Sequence, residues 1–174
     1  GWQWLAGNST ASNSNGSITS TVSVNQTAGF SIVQWSGNRT NATIGHGLGS
    51  VPSWIITKAL NANNGWRVYH VGNTSAPETE FLELNGTTAT QDEATIWNDT
   101  APTSTVFSVG TDGGSNENAG GTHTSNNMIA YCWCEKPGFS KFGSYEGNVS
   151  ADGIFIELNF KPAFFIAKNI DATG

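Results

Sequence analysis

The sequence predicts an all-β protein, built as an antiparallel β-sandwich of jelly-roll type. Only 11% of its 174 residues are charged, and aromatic and β-branched residues gather in short segments. Gly, Asn, Ser and Thr fill the intervals between these segments, as they do in the turns of antiparallel sheets. Because no segment sustains an apolar period of about 3.6 residues, we expect almost no helix.

Seven strands are predicted in chain order, each from its local pattern. A Gly-Asn pair ends the first strand, three glycines mark a close backbone approach in the second, and Pro52 opens the third. Alternation places Trp66, Val68 and His70 on one face of the fourth strand. The predicted ranges are 30–36, 42–48, 53–59, 66–70, 80–84, 105–109 and 127–134, with an eighth candidate strand at 95–97.

An internal repeat sets the predicted domain organisation. The segment Gly29-Phe-Ser-Ile-Val resembles Gly138-Phe-Ser-Lys-Phe, and the matches then continue at a constant offset of 110 residues (145 minus 35). A repeat of about 110 residues fits one sandwich per unit, which predicts a tandem array. The matching pairs are Trp35 with Tyr145, Gly37 with Gly147, Pro52 with Pro162, Trp54 with Phe164, Ile56 with Ile166 and Lys58 with Lys168.

The repeat divides the chain into three parts. Residues 1–28 are predicted to hold the closing strand of a preceding repeat and then an Asn/Ser/Thr-rich linker, because Trp2-Gln-Trp4 resembles Tyr131-Cys-Trp133. Residues 29–135 form one complete sandwich, and residues 136–174 hold the first strands of a following repeat. We expect the array to continue in both directions.

Charge and hydropathy limit the kinds of partner that we expect for the chain. The net charge is −6 and no Lys/Arg cluster occurs, so we expect no nucleic-acid partner. No apolar run approaches the roughly 18 residues of a membrane span. Cys132 and Cys134 lie two positions apart on one strand face and cannot easily bridge each other, so we expect two buried free thiols.

The motifs predict no enzymatic activity. The chain has no Gly-x-Ser-x-Gly elbow, no phosphate loop and no His-Glu-x-x-His pair. No two acids can be assigned to the defined separation that a glycosidase needs. The three histidines, His46, His70 and His123, lack metal-ligand spacing, and His46 falls against Ile156 in the second copy.

The loop at 110–121 is the predicted metal site. Asp112, Asn116, Glu117 and Asn118 offer hard oxygen ligands, and neighbouring glycines allow the tight path of a Ca²⁺ loop. The spacing is not that of an EF-hand, and a flexible hairpin loop explains the same composition. Calcium therefore stands as a candidate ligand, and no obligatory cofactor is expected.

Two tryptophans are candidates for stacking on a sugar. Trp97 and Trp66 are not among the matched positions of the repeat, whereas Trp35 and Trp54 recur as aromatic residues and are therefore assigned to the core. Nine Asn-x-Ser/Thr sequons would accept glycans in a eukaryotic secreted protein, although an Asn-rich turn composition also produces them by chance. The sequons begin at Asn8, Asn15, Asn25, Asn38, Asn41, Asn73, Asn85, Asn98 and Asn148.

Four segments resemble a repeat of tail-fibre and other structural proteins of marine and cyanobacterial tailed phages. They are Gly29-Phe-Ser-Ile-Val, Ile44-Gly-His-Gly-Leu-Gly49, Trp66-Arg-Val-Tyr-His70 and Trp97-Asn-Asp-Thr-Ala-Pro-Thr-Ser104. The segment from Ala130 to Tyr145 resembles the junction between two such repeats. The resemblance implies an extracellular, virion-surface structural protein that helps to attach the particle to its host. It brings no catalytic residues.

The implied partners are other virion proteins, copies of the same chain and a host-surface glycan. Tail fibres are often trimers, so a homotrimer is the favoured assembly. The alternatives are a carbohydrate-binding module, with or without calcium, a capsid-decorating protein and, as the weakest, a polysaccharide depolymerase.

Overall fold

Antiparallel pairing organises the chain into two sheets, which confirms the all-β prediction. The structure is a computed structural model that describes residues 3–118 and 127–171. The larger sheet has the strand order β1-β2-β3-β10-β5-β6-β7-β8, and β4 pairs with β9 in the smaller sheet. The strands are β1 (Ala11–Asn13), β2 (Ser20–Asn25), β3 (Phe30–Trp35), β4 (Ala42–Gly45), β5 (Trp54–Ala59), β6 (Arg67–His70), β7 (Glu80–Glu83), β8 (Gln91–Asp92), β9 (Val106–Val109) and β10 (Met128–Trp133).

The seven predicted strands correspond to β3, β4, β5, β6, β7, β9 and β10. The eighth candidate, at 95–97, was wrong, because this segment lies in a single helical turn, α1 (Ala94–Trp97). The Glu93 side chain caps the turn by accepting from the Thr95 backbone N–H, and Asn98 ends it in a left-handed conformation with φ 54°. A second turn, α2 (Gly113–Asn116), is capped by Asp112.

The predicted linker before Gly29 was also wrong. It contributes β1 and β2 to the large sheet, where Val22 lies opposite Val33 of β3. Its composition is polar, but alternation buries Ser20 and Val22 while the side chains between them stay partly exposed. A polar strand of this kind forms because the neighbouring strand β3 supplies its hydrogen-bond partners and its apolar contacts.

The main core lies between the large sheet and the layer made by β4, β9 and α1. Inward residues alternate along the strands, as in Val33 and Trp35 of β3 and Met128, Ala130 and Cys132 of β10. They meet buried residues of the covering layer, which include Ile44, Ile96, Trp97, Phe107 and Val109. Trp35 packs edge-on against Phe107 with ring centroids 5.8 Å apart, which confirms its assignment to the core.

The outer face of the large sheet carries a second apolar cluster. Its buried members are Ala6, Phe30, Ile56, Val68, Leu82 and Trp133. The residues between them in sequence face the main core, so the central strands are apolar on both faces. Central strands of this type need cover on both sides, and here the outer cover comes from residues near the two ends of the chain.

The segment 136–171 follows an extended and turning path. Within its described residues there is an isolated bridge between Lys136 and Ser140 but no strand. Its contacts with the rest of the molecule include the packing of Phe142 on Trp54, a bond from the Lys168 ammonium to the Gly86 carbonyl at 3.0 Å, and a bond from the Thr90 N–H to the Ile170 carbonyl at 2.9 Å. In the described ranges, no helix has the length and apolar character needed to cross a membrane.

Candidate functional site: an aromatic sheet face

Five aromatic residues lie on the outer side of the large sheet, and we call them the aromatic face. Phe30, Trp54, Trp66, Tyr131 and Trp133 belong to the outer cluster either as buried members or as partly buried neighbours. Strand alternation places Tyr131 and Trp133 on this side, while Cys132 between them faces the core. The sheet thereby presents several flat rings from different strands on one surface.

Trp133 is the centre of the aromatic face because β10 lies between β3 and β5. Its Cα lies opposite Phe30 on one side and opposite Trp54 on the other. Its ring stacks on Trp54 at a centroid distance of 4.4 Å and on Phe30 at 5.0 Å. Tyr131 adds a third stacked ring at 6.3 Å. Aromatic cross-strand pairs of this geometry stabilise a sheet beyond the area that they bury.

Residues from both ends of the chain cover part of the aromatic face. Trp4 packs on Trp133 at 6.0 Å and on Phe164 at 5.1 Å, in both cases edge-on. Phe142 covers Trp54 from the other side at 6.1 Å and also contacts His70 at 6.2 Å. The described termini therefore meet over the large sheet, and Trp4 links them.

The aromatic face contains one polar group without a partner. The indole N–H of Trp133 is buried and makes no hydrogen bond among the described protein atoms. His70, at the edge of the face, accepts from the Gly72 N–H through Nδ1 at 3.0 Å, and burial lowers the pKa of its imidazole. The surface is therefore suited to stacking and apolar packing rather than to acid–base chemistry.

The predicted sugar-stacking tryptophans have different positions. Trp97 is only 2% exposed and packs edge-on against Tyr69 within the main core, so its assignment to a surface platform was wrong. The single turn α1 buries both Ile96 and Trp97. Trp66 is half-buried and packs against the outer cluster. Of the two predicted tryptophans, Trp66 thus remains accessible to a ligand, and Trp54, which the sequence assigned to the core, is likewise half-buried on the outer face.

The four residues predicted to bind calcium lie close together, and the protein uses them in ion pairs and hydrogen bonds of its own. Asp112 caps α2 and forms an ion pair with Arg67 at 3.1 Å. Glu117 forms an ion pair with Arg39 at 2.7 Å, and this hydrogen-bonded guanidinium lowers the pKa of the Glu117 carboxyl to about 2. Arginine cations therefore already neutralise the carboxylates that were assigned to the metal.

The two asparagines of the predicted calcium site also form structural contacts, Asn116 through its side chain and Asn118 through its backbone. Asn116 is completely buried and donates to the carbonyl oxygen of Thr40 at 2.8 Å. The backbone carbonyl of Asn118 accepts from the Asn61 amide at 2.9 Å. Among the residues that the structure describes, no group of three or more His, Cys, Asp or Glu is placed to hold a metal ion. The calcium assignment stays a prediction; part of the 110–121 loop and His123 lie outside the described residues.

The remaining polar candidates also have structural roles. His46 is buried, accepts from Leu48 N–H through Nδ1 and lies 3.2 Å from the Thr103 carbonyl through Nε2. Cys132 and Cys134 are buried free thiols, as predicted, and burial raises the pKa of Cys132. Both observations assign these groups a structural role in the core rather than a reactive one.

The sequons divide by exposure. Asn73 is buried and its Oδ1 accepts from the Thr90 hydroxyl, so this sequon cannot carry a glycan in the folded chain. Asn25 and Asn98 are half-buried. The exposed asparagines are Asn8, Asn15, Asn38, Asn41, Asn85 and Asn148.

Sequence analysis did not identify the aromatic face as a site. The Tyr131-Cys-Trp133 pattern served only as a marker of the repeat, although its period of two already indicated one aromatic side of a strand. The strands that flank β10 could not be known from the sequence, because β3 and β5 lie about 75–100 residues away along the chain. The site depends on these long-range pairings.

Fold and site define a class: an all-β protein of two antiparallel sheets whose larger sheet has an aromatic outer face. A family profile matches residues 1–174, and its description reads "Domain of unknown function (DUF7483)". The chain belongs to this family. Comparison with curated proteins gave no match, and comparison with solved structures gave none either.

Proposed function

We propose that the protein is a structural component of a phage virion, a unit of a tail fibre or related appendage that contributes to attachment at the host surface. Its role is to form and present a rigid surface rather than to catalyse a reaction. Its place is the outside of the particle, and its partners are other virion proteins and further copies of the chain, with a trimer as the favoured assembly.

The aromatic face is the observation that carries this proposal. The large sheet is apolar on both sides, and among the described residues the cover of its outer side includes Ala6, Phe142 and Ile170 from the N-terminal and C-terminal segments. Repeat proteins have such surfaces because each unit buries its apolar face against a neighbour. A tandem array of about 110-residue units, of jelly-roll type as the sequence predicts, would use the aromatic face in this way.

The location can be tested on intact particles. Antibodies raised against the chain, coupled to gold, would label purified virions for electron microscopy. We expect label on the tail appendage. Label confined to the capsid would instead support the capsid-decorating alternative, and absence of the chain from the particle's proteins by mass spectrometry would refute both.

A carbohydrate-binding role is the second candidate, and one observation favours it. Trp54 and Trp66 are half-buried on the same sheet face, and flat indoles with partial exposure stack on the apolar faces of sugars. The test is a glycan array with the wild-type chain, Trp66→Ala and the matched variant Leu84→Ala, which removes another exposed apolar side chain. Binding that is lost only in Trp66→Ala supports this role, and equal binding by all three chains excludes Trp66 from it.

A further inference from the structure

The outer face of the small sheet, on the other side of the main core from the aromatic face, carries an open polar cavity that we call the hydroxyl pocket. Its volume is about 280 Å³, close to the lower end of the roughly 300–1,000 Å³ of small-molecule sites. Thr43 of β4 and Ser108 of β9 lie opposite each other on this face, because Ile44 and Phe107 beside them belong to the main core. The pocket is lined by Ser17, residues 41–43, Asn98, Thr100 and Ser108.

Ser108 is the buried polar residue of the hydroxyl pocket. It is only 5% exposed, and its side chain lies on the face that the pocket occupies. Within the described part of the chain, its hydroxyl makes no hydrogen bond with another protein group. A buried hydroxyl without a partner costs free energy unless water or a ligand bonds to it. The Ser108 hydroxyl is therefore available to a ligand that enters the pocket.

Hydrogen bonds within the protein hold the other polar residues of the pocket in place. The Ser17 N–H donates to the Thr43 hydroxyl and the Thr43 N–H donates to the Ser17 hydroxyl, both at 2.9 Å. The Asn41 amide donates to the side-chain oxygen of Asn98, and the Thr100 hydroxyl donates to the Asn98 carbonyl at 2.7 Å. Groups that are ordered before binding lose little conformational entropy when a ligand binds.

These groups keep hydrogen-bonding capacity that no described protein atom uses. The Asn98 amide nitrogen has two N–H donors and the Asn41 amide oxygen is an acceptor, and neither atom has a partner among the described residues. The Ser17 and Thr43 hydroxyls accept from backbone N–H groups and can still donate. Among the described residues, no charged side chain lines the pocket. The pocket thus presents neutral donors and neutral acceptors side by side.

We propose that the hydroxyl pocket binds one neutral hexose residue of a surface polysaccharide. A sugar ring carries hydroxyls that donate and accept at its edge and C–H groups on its two faces. The methyl groups of Ala42, Thr43 and Thr100 lie among the hydroxyls and amides of the pocket, so both parts of the ring find a partner. An anionic sugar would lose water without meeting a cation among the described lining residues. The inference names a ligand class for the host attachment in the proposed function, on which its biological role rests.

NMR spectroscopy of the full, ¹⁵N-labelled chain tests the pocket. The probes are the methyl glycosides of glucose, galactose and mannose, and methyl glucuronide is the anionic control. We expect at least one neutral glycoside to shift the amide signals of Thr43, Asn98 and Ser108 saturably, with a Kd of about 1–30 mM. The glucuronide should bind at least about threefold more weakly, because its carboxylate would lose hydration without compensation.

Two variants and a matched control assign the binding to the pocket. Ser108→Ala removes the unpaired hydroxyl, and Asn98→Gly removes the amide while glycine tolerates the left-handed conformation at this position. We expect each variant to bind the sugar about three- to tenfold more weakly, which corresponds to one lost hydrogen bond. Ser104→Ala removes an exposed hydroxyl outside the pocket and should change the affinity less than about twofold. Circular dichroism checks folding, and either variant decides the question if the other does not fold.

Several results would overturn the proposal. These are no shifts with any neutral glycoside, unchanged affinity in the folded variants, glucuronide binding as tight as that of the neutral sugars, or shifts that map to Trp54 and Trp66 on the aromatic face. Saturable binding of acetyl-glycyl-glycine amide at the same signals, without binding of a sugar, would assign the pocket to a peptide and would also overturn it. Labelling of intact virions is independent of these measurements, so failure of the pocket and failure of the proposed location are recognised separately.

Discussion

The buried side chain of Asn116 connects three separate segments of the fold, and its removal gives a sharp test of the structure. The amide oxygen accepts from the Trp35 indole N–H at 3.3 Å. The amide nitrogen donates to the carbonyl oxygens of Thr40 at 2.8 Å and Gly110 at 3.3 Å, and to the Asn38 side chain at 3.1 Å. Asn116→Ala would remove these bonds, although Asn38 Oδ1 would still accept from the Thr40 N–H and hydroxyl.

The expected loss follows from which partners can reach water. The Trp35 indole and the Gly110 carbonyl belong to buried residues, and each buried polar group left unpaired costs about 1–3 kcal/mol. Asn38 and Thr40 are exposed, so water can replace their lost bonds at small cost. Because the Trp35 and Gly110 bonds are long, the lower part of that range applies, and we expect a loss of about 2–4 kcal/mol in the free energy of unfolding.

Urea unfolding followed by circular dichroism measures this loss. Asn118→Ala is the matched control, because Asn118 is exposed and takes part through its backbone, so its change should stay within about 0.5 kcal/mol. A loss below about 0.5 kcal/mol in Asn116→Ala would refute the structural role. Millimolar Ca²⁺ that stabilises the wild-type chain but not Asn116→Ala would support the predicted calcium site.

Three further predictions concern pH and packing. Burial lowers the pKa of His46 below its usual 6.5, and its Nδ1 already accepts from the Leu48 N–H, so the stability of the fold should decrease as the pH drops below about 6.5. In thermal melts at a series of pH values, His46→Gln should show a weaker dependence on pH in this range. The hydrogen bond with Arg39 lowers the pKa of Glu117 to about 2, so the stabilisation from this carboxylate is complete above about pH 4.5 and is lost as the pH falls toward 2. Glu117→Gln should remove that loss, and a stability curve that is unchanged at acidic pH would contradict the prediction. Trp97→Ala should lower the free energy of unfolding by about 3–5 kcal/mol in urea melts. A variant that keeps its stability but loses glycan binding would instead support a surface position for Trp97.

Local pattern predicted seven of the strands between Phe30 and Trp133, because a half-buried strand alternates between apolar and polar residues. Each of the seven predicted strands occurs, and the two cysteines are buried on one face as their spacing indicated. The same local reasoning failed where apolar content was low. Strand β2 has only Val22 and Val24 among polar residues, and its pairing with β3 rather than its composition makes it a strand.

The predicted calcium site shows that the sequence does not reveal which partners a polar side chain has in the fold. Asp112, Asn116 and Glu117 form one cluster, as their proximity along the chain predicted, but Arg39 and Arg67 reach it from strands and loops far away in sequence. Oxygen-rich composition is the same for a Ca²⁺ loop and for a loop held by arginines. The choice depends on which cation lies nearest, and only the folded chain decides that.

The sequence by itself determined the all-β class, the positions of most strands and the buried thiols, because these depend on local alternation. The tertiary structure alone decided that β10 lies between β3 and β5, and that Trp97 turns inward while Trp133 centres an aromatic face. These features depend on contacts between residues far apart in sequence, whose partners no local pattern specifies.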